Sequence, residues 1–165
     1  MIFYEEILKA FHKEKVKYIL VGGVAANLLG IMRSTADLDI LVEMSDNNLK
    51  KIVNILKKRG YQIKQPVDPI GIADKKTRED WIQNKYLRAL NFYKKDSFEE
   101  VDIIIDSPVT FEKAKKSTSI IKAGDIALPV ISIDNLIKMK EKTGRETDKF
   151  DVKELKVIRR LRKKL

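Results

Sequence analysis

The sequence predicts a mixed α/β fold (α+β), in which one mixed β-sheet is flanked by helices. Helical patterns and short apolar strands alternate along the 165 residues, but too irregularly for a doubly wound parallel sheet. Two of the strands are separated only by the turn Gly124-Asp125, which predicts a hairpin. No internal repeat or linker divides the chain. We therefore expect one domain over residues 1–165 that ends in a basic helix.

Helices are predicted where apolar residues recur at helical spacing, where Ser45 and Ser132 can cap a first turn, and where glycines can end a last turn. The predicted helices cover 2–14, 24–29, 46–59, 77–84, 108–116, 133–143 and 147–164. Strands are predicted at the apolar runs 17–21, 37–42, 61–64, 87–93, 99–105, 119–122 and 126–130. Pro66, Pro69 and Gly71 predict a loop over 65–76.

The composition excludes several classes of protein. The chain has no cysteine and a single histidine, His12, which excludes disulfide scaffolds, cysteine nucleophiles and zinc sites built from Cys or His clusters. The longest uncharged stretch, 18–32, has 15 residues, whereas a membrane span needs about 20. Acidic residues near the N-terminus do not fit a signal peptide. We therefore expect a cytoplasmic protein with no membrane partner.

The chain is strongly basic, with 34 Lys and Arg against 24 Asp and Glu and a formal net charge of +10. One interpretation is a polyanionic partner such as RNA or a nucleotide. The other is a lysine-rich surface of the kind found in hyperthermophile proteins. The tail 153–165 has the same two interpretations, because its seven basic residues accompany an apolar stripe of Leu155, Ile158 and Leu161. Such a helix can dock on the body of the protein or bind RNA electrostatically.

Three aspartates form the most informative pattern. Asp37 and Asp39 lie two residues apart in the predicted strand 37–42, so their side chains share one face. Roughly 6.6 Å separates their backbone positions, so they can converge on one divalent ion or bridge two. Asp102 is a lone acid in an apolar strand, where a carboxylate is costly unless it is solvated, paired or metal-bound. Carboxylates of this kind suit Mg²⁺ or Mn²⁺.

A pair of glycines, Gly22-Gly23, separates the predicted strand 17–21 from the predicted helix 24–29. Glycine lets the backbone approach a ligand closely, and a helix N-terminus attracts phosphate. The pair is not a Walker A loop, since no Gly-Lys-Ser/Thr follows, and it is not the dinucleotide fingerprint, since the next glycine is Gly30. By itself it indicates a place where a phosphate can come close.

Together these motifs resemble the signature of the DNA polymerase β-like nucleotidyltransferase superfamily. That signature is a hydrophobic residue with Gly-Gly/Ser, a spacer, Asp-x-Asp/Glu and a later lone Asp. Here its parts are Val21-Gly22-Gly23, Asp37-Leu38-Asp39-Ile40 and Val101-Asp102-Ile103. The runs 22–40 and 136–151 look like the small stand-alone prokaryotic members, including the AbiEii-type toxin nucleotidyltransferases. The resemblance covers 17–155 and implies a nucleotidyltransferase-like mixed sheet flanked by helices.

The resemblance also implies roles for the motif residues. Transfer of a nucleoside monophosphate from an NTP would use two metal ions, Mg²⁺ or Mn²⁺. Asp37 and Asp39 would hold both ions, and Asp102 would hold the catalytic ion and accept the proton of the attacking hydroxyl. Gly22 and Gly23 would cradle the β- and γ-phosphates. Many relatives have Ser at the second glycine position, so one hydroxyl of the phosphate site is absent here.

Four further residues are candidate nucleotide contacts. Arg33 and Thr35 precede the aspartate pair and can face the triphosphate, or they can lie in a solvated loop. Lys140 and Arg145 fit a Lys-x4-Lys/Arg element of the relatives and can contact phosphates. The alternative for these two is ordinary helix-end charge, with Arg145 paired to Asp148.

Two functional hypotheses follow. The first is a metal-dependent nucleotidyltransferase acting on an RNA end or a protein hydroxyl, with a small molecule also open. A dedicated drug-modifying enzyme is less expected, since 165 residues leave little room for a separate substrate domain. The alternative is a non-catalytic nucleotide- or protein-binding module that keeps the fold, as an antitoxin-like partner would. The intact trio Asp37, Asp39 and Asp102 favours the enzyme.

Overall fold

A computed structural model describes residues 4–165 of the chain. Seven α-helices and one 3₁₀ helix are described in this range. They are α1 (Glu5–Lys13), α2 (Gly22–Leu29), α3 (Asp46–Lys58), the 3₁₀ helix Pro69–Ala73, α4 (Lys75–Gln83), α5 (Phe111–Lys115), α6 (Ile133–Thr143) and α7 (Glu146–Lys163). Positions 2 and 3 of the predicted helix 2–14 lie outside the described residues.

The strands form one seven-stranded mixed sheet. They are β1 (Tyr18–Val21), β2 (Asp37–Val42), β3 (Tyr61–Ile63), β4 (Ala89–Lys94), β5 (Glu100–Ile104), β6 (Ser119–Ala123) and β7 (Ile126–Val130). Their order across the sheet is β3-β4-β5-β2-β1-β7-β6. The central strand β2 runs parallel to β5 and antiparallel to β1. The predicted fold class is therefore confirmed, and so is the hairpin at Gly124-Asp125, which joins β6 to β7.

Alternation along β2 and β5 divides the two faces of the sheet. Leu38 and Ile40 on β2, and Val101 and Ile103 on β5, are fully buried in the hydrophobic core. Asp37, Asp39 and Asp102 occupy the intervening positions and are only partly buried. Because side chains alternate between faces, the apolar residues secure both strands while the aspartates point to the other face.

Tyr4 fixes the beginning of both strands that carry the aspartates. Its hydroxyl donates to the carbonyl of Ala36, immediately before β2. The same oxygen accepts the backbone N–H of Glu100 at 2.9 Å, at the first residue of β5. Tyr4 is buried, so this bridge is shielded from solvent and holds the two strand ends together.

Several predicted boundaries were wrong. Helix α5 begins at Phe111 after its cap Thr110, rather than at Pro108, and β4 begins at Ala89 rather than at 87. Helix α2 begins at Gly22 rather than at 24, because Gly22 adopts φ +65° and turns the chain directly from β1 into the helix. The predicted loop 65–76 contains the 3₁₀ helix and the start of α4. Asp68 and Asp74 cap these two elements, accepting the N–H groups of Ile70 at 3.1 Å and Thr77 at 2.9 Å.

The last helix, α7, closes the described chain. Leu155 is fully buried and Ile158 packs against the core, whereas Leu161 is 58% exposed. The helix therefore docks mainly through its first part. Its basic end is exposed, although Arg162 still donates to the carbonyl of Leu29 at 3.2 Å. None of the helices within residues 4–165 has the length and apolar run that crossing a membrane requires.

Candidate active site

A cavity of about 310 Å³ lies where α2, β2 and β5 meet the α6–α7 connection. It is lined by Gly22, Gly23, Arg33, Thr35, Ala36, Asp37, Asp39, Asp102, Lys140, Arg145 and Thr147. The structure thus gathers all nine residues that the sequence nominates into one cavity. Their individual roles stay predictions, but the residues share one site.

The strand register places the carboxylates side by side. Asp39 on β2 is the direct partner of Asp102 on β5, and Asp37 is the partner of Glu100. Neighbouring strands lie roughly 4.8 Å apart, so the side chains of Asp39 and Asp102 face the cavity as close neighbours. This is the edge-on meeting that the sequence predicts.

Burial and nearby negative charges perturb both of these carboxyl groups. Burial raises the pKa of Asp39 to about 7, with further increases from the charges of Asp102 and Asp37, while Lys140 and Arg145 oppose the shift. The pKa of Asp102 is also raised, first by burial, although Asn91 partly offsets this. Such shifts arise where like charges share a poorly hydrated site. A cation bound beside Asp39 and Asp102 would therefore stabilise their charged forms.

The residues present fit a hard divalent cation. The Oδ1 atom of Asp102 is buried and has no hydrogen-bond partner among the described residues, so a lone pair is left to be satisfied. The oxygen-only donor set is the type that Mg²⁺ prefers. Within residues 4–165 no three acidic, His or Cys side chains are gathered as ready-made metal ligands. Asp37, Asp39 and Asp102 line the cavity, but their side chains are not gathered closely enough to form a complete set of metal ligands.

The carboxylate of Asp39 leaves no room for a side chain at position 22, so a glycine is required there. A Cβ atom added at Gly22 would lie 2.0 Å from Asp39 Oδ2 and 2.6 Å from its Cγ, well inside any allowed contact. The positive φ of +65° independently favours glycine. The sequence predicts that a ligand can come close to the backbone at Gly22. In the structure, the group packed closely against Gly22, at the first turn of α2, is the carboxylate of Asp39.

Gly23 is approached by the two residues that precede the aspartates. A Cβ atom at Gly23 would lie 2.4 Å from Thr35 Oγ1 and 2.8 Å from Arg33 Nη2. Arg33 and Thr35 are thus held over the N-terminal turn of α2, and both line the cavity. The absence of a side chain at Gly23 makes room for the Thr35 hydroxyl at the cavity wall.

Lys140 and Arg145 belong to a network of ion pairs around two buried aspartates. Lys140 Nζ contacts Asp151 Oδ2 at 2.7 Å and Asp148 Oδ1 at 3.5 Å. Arg145 Nε pairs with Asp148 Oδ2 at 2.9 Å, and Arg33 Nε lies 3.2 Å from Asp151 Oδ1. Burial raises the pKa of Asp148, but the hydrogen bonds from Arg145 and Thr143 and the nearby cations outweigh it, so the pKa is lowered. Asp148 is therefore a charged partner of Arg145 and Lys140.

This network qualifies the predicted phosphate contacts. Lys140 is only 5% exposed and is already held by two carboxylates, so it forms the floor of the cavity. Arg145 has most of its side chain in solvent while it pairs with Asp148. The expected Arg145–Asp148 pairing is thus present, and the guanidinium remains accessible from the cavity.

Three residues of the site were not nominated from the sequence as part of it. Asn91 on β4 is the register partner of Asp102, and Gln65 donates to its side-chain oxygen. Thr147 lines the cavity, and Asp151 joins Arg33 to Lys140. The signal for Asn91 is a polar residue between the apolar residues Leu90 and Phe92. The signal for Asp151 is its three-residue spacing from Asp148 on α7.

Solved structures with this fold include several nucleotidyltransferases. The lincomycin-bound lincosamide antibiotic adenylyltransferase LnuA superposes with a TM-score of 0.62 at 22% identity, covering 93% of this chain and 94% of that chain. A putative nucleotidyltransferase from Thermotoga maritima gives 0.57 at 15% identity, covering 97% and 90%. The enzyme ANT(2")-Ia in complex with adenylyl-2"-tobramycin gives 0.57 at 13% identity, covering 94% and 91%.

Sequence comparison assigns the family. No curated protein matches the chain. The prediction that the chain is a nucleotidyltransferase is confirmed. The narrower resemblance to the AbiEii-type toxins is not supported by these comparisons. Residues 4–155 match the aminoglycoside-2''-adenylyltransferase family, and the chain therefore belongs to this family of nucleotidyltransferases.

Proposed function

We propose that this chain transfers AMP from ATP to a hydroxyl group of a small antibiotic-like acceptor. The observation that carries the proposal is the juxtaposition of Asp37, Asp39 and Asp102 beside the N-terminal turn of α2 in one cavity. The adenylyltransferase family and the antibiotic complexes of two structural relatives support the choice of donor and acceptor.

The short chain does not argue against a small acceptor. It spans 94% of the lincosamide adenylyltransferase chain with the same fold, and that protein is lincomycin-bound. The expectation that 165 residues leave too little room for a drug acceptor therefore loses its support, because no additional domain distinguishes the two chains in length.

The site residues divide the work of nucleotide binding. Asp37, Asp39 and Asp102 would hold Mg²⁺ or Mn²⁺, which when bound neutralises phosphate charge and polarises the α-phosphate. Arg33, Thr35 and the N-terminal turn of α2 face the space next to these carboxylates. They supply cationic and hydroxyl contacts for the β- and γ-phosphates.

The transfer itself requires one proton acceptor. The acceptor hydroxyl oxygen attacks the α-phosphorus of ATP and forms a new O–P bond. The bond between the α-phosphorus and the bridging oxygen of the β-phosphate breaks, and pyrophosphate leaves. Asp102 takes the hydroxyl proton, a role to which its buried and unpaired Oδ1 is suited.

A second candidate keeps the acceptor that the sequence favours. The exposed basic end of α7 and the net charge of +10 suit an RNA end as acceptor, or an RNA-binding or protein-binding module without catalysis and with an antitoxin-like partner. The first form of this candidate would label a macromolecule and the second would label nothing, so experiment separates both from the proposed function.

The test is transfer of label from ATP labelled at the α-phosphate, with Mg²⁺, to a panel of a lincosamide, an aminoglycoside, total RNA and total protein. We expect label on an antibiotic, release of pyrophosphate in equal amount, and loss of both in Asp39→Asn. Label on RNA or protein alone would instead establish the second candidate. No label with any acceptor would show a non-catalytic module.

A further inference from the structure

A second cavity, of about 370 Å³, opens at the end of β5 beside helix α6. Its lining includes Ala89, Ile104, Met139, Arg88, Lys142 and Asp106. The volume falls within the range of small-molecule pockets, about 300–1,000 Å³. None of the roles assigned above uses this cavity.

The second cavity adjoins the aspartate cavity along strand β5 and helix α6, because residues of both elements line both cavities. Ile104 follows Asp102 by two residues on β5, so the two side chains share a face, roughly 6.6 Å apart along the strand. Ala89 is the register partner of Ile104, as Asn91 is of Asp102. On α6, Met139 lines the second cavity and Lys140 lines the first. A molecule seated in the second cavity can therefore present a hydroxyl toward Asp102.

The lining combines an apolar floor with a charged rim. Ala89, Ile104 and Met139 are half-buried, and Ile104 and Met139 pack against the hydrophobic core. Arg88, Lys142 and Asp106 are exposed and form no ion pair with any residue in the described range 4–165. The rim therefore carries two cations against one carboxylate. Such a rim repels a polycation, while the floor offers apolar surface to bury.

We infer that this second cavity is the acceptor pocket, and that it selects an amphipathic hydroxyl compound with an apolar face and little positive charge. The inference rests on the proposed function, since it names the acceptor class of the same site. The pocket disfavours a polycationic acceptor, because binding one would need more carboxylates than cations around the rim, where Arg88 and Lys142 lie.

The first experiment blocks the floor of the pocket. Ala89→Phe fills the cavity without changing the backbone ladder, and Ala127→Phe, at an exposed alanine on β7, is the matched control. With a lincosamide as the amphipathic acceptor, Ala89→Phe should raise KM about tenfold or more, and Ala127→Phe should leave KM unchanged. The Kd for ATP, measured by calorimetry without acceptor, should not change in either variant.

The second experiment reverses the rim, using exposed residues whose substitution does not threaten folding. The wild type should use the lincosamide with a higher kcat/KM than a polycationic aminoglycoside. The double variant Arg88→Glu with Lys142→Glu should shift that ratio toward the aminoglycoside by about tenfold.

The outcomes separate this inference from the proposed function. An active wild type whose KM is unaffected by Ala89→Phe would overturn the pocket, and a wild-type preference for the aminoglycoside would overturn the acceptor class. Failure of the wild type to label any acceptor would overturn the proposed function and this inference with it.

Discussion

Asp39 and Asp102 are direct register partners on the parallel strands β2 and β5, and both face one cavity. Each is flanked in sequence by fully buried apolar residues, so neither carboxylate can move away from the other without disturbing the core. Burial, reinforced by neighbouring negative charges, raises the pKa of both groups.

The first prediction concerns the stability of the metal-free protein. Because burial and its neighbours raise the pKa of Asp39 from 3.8 to about 7, the folded state binds more protons than the unfolded state between these values. Stability from this group is therefore fully present below about pH 3.8 and is lost as the pH rises to 7. Asp39→Asn should stabilise the metal-free protein by roughly 1–3 kcal/mol at pH 8, measured by urea unfolding in EDTA.

The same comparison has a built-in control. The gain in Asp39→Asn should shrink as the pH falls toward 4, and Mg²⁺ at pH 8 should stabilise the wild type more than the variant. A gain that is independent of pH would show that the buried charge of Asp39 is not its source.

The second prediction concerns the proton acceptor. Asp102→Asn keeps the size of the side chain but removes both the charge and the basic oxygen. If Asp102 takes the hydroxyl proton, kcat should fall by about 10²-fold or more, measured by pyrophosphate release. Glu100→Gln on the same strand, at the register partner of Asp37, is the control and should retain most of the activity. Equal losses in both variants would contradict a specific role for Asp102.

The third prediction concerns Gly22. Gly22→Ala adds a Cβ that would meet Asp39 Oδ2 at 2.0 Å in a backbone with φ +65°. Gly124→Ala introduces the same kind of strain at φ +61°, but no described atom lies within 4 Å of the added Cβ. Both variants should lose about 1 kcal/mol of stability from the backbone. Gly22→Ala alone should also lose Mg²⁺ affinity and activity, as read from calorimetry and transfer assays.

The fourth prediction concerns the buried network. Asp151 is fully buried and contacts Lys140 at 2.7 Å and Arg33 at 3.2 Å. Asp151→Asn should cost about 3–5 kcal/mol in unfolding free energy, because a buried cation loses its partner. The exposed pair of Asp134 with Arg159 provides the contrast, and Asp134→Asn should cost at most about 1 kcal/mol. Similar costs for the two variants would contradict a structural role for the network beneath the cavity.

Much of the fold was predictable because local signals agree with tertiary structure. The alternation in Asp37-Leu38-Asp39-Ile40 predicts a strand with one polar face, and the strand buries Leu38 and Ile40. Ser132 and Gly144 predict the bounds of α6, and Ser132 accepts the N–H of Asn135 at 3.2 Å as its cap. The lone Asp102 in an apolar strand pointed to the second half of the site.

The rest depends on contacts between distant segments. The requirement for glycine at position 22 comes in part from the carboxylate of Asp39, which is 17 residues away in the sequence. The pairing of Asp151 with Arg33 joins α7 to the segment before β2. The second cavity exists because β4, β5 and α6 meet. The spacing of residues within one segment carries no information about contacts between distant segments. The sequence pattern therefore could not predict these contacts.

The most direct test of the account is the mass of the acceptor after incubation with ATP and Mg²⁺. Wild-type protein should convert an amphipathic antibiotic acceptor to a product heavier by one adenylyl group, with one pyrophosphate released per product. Asp102→Asn and EDTA should both abolish this product. An acceptor of unchanged mass, in the presence of wild-type protein that binds ATP and Mg²⁺, would contradict the claim that this aspartate cavity catalyses adenylyl transfer to a small molecule.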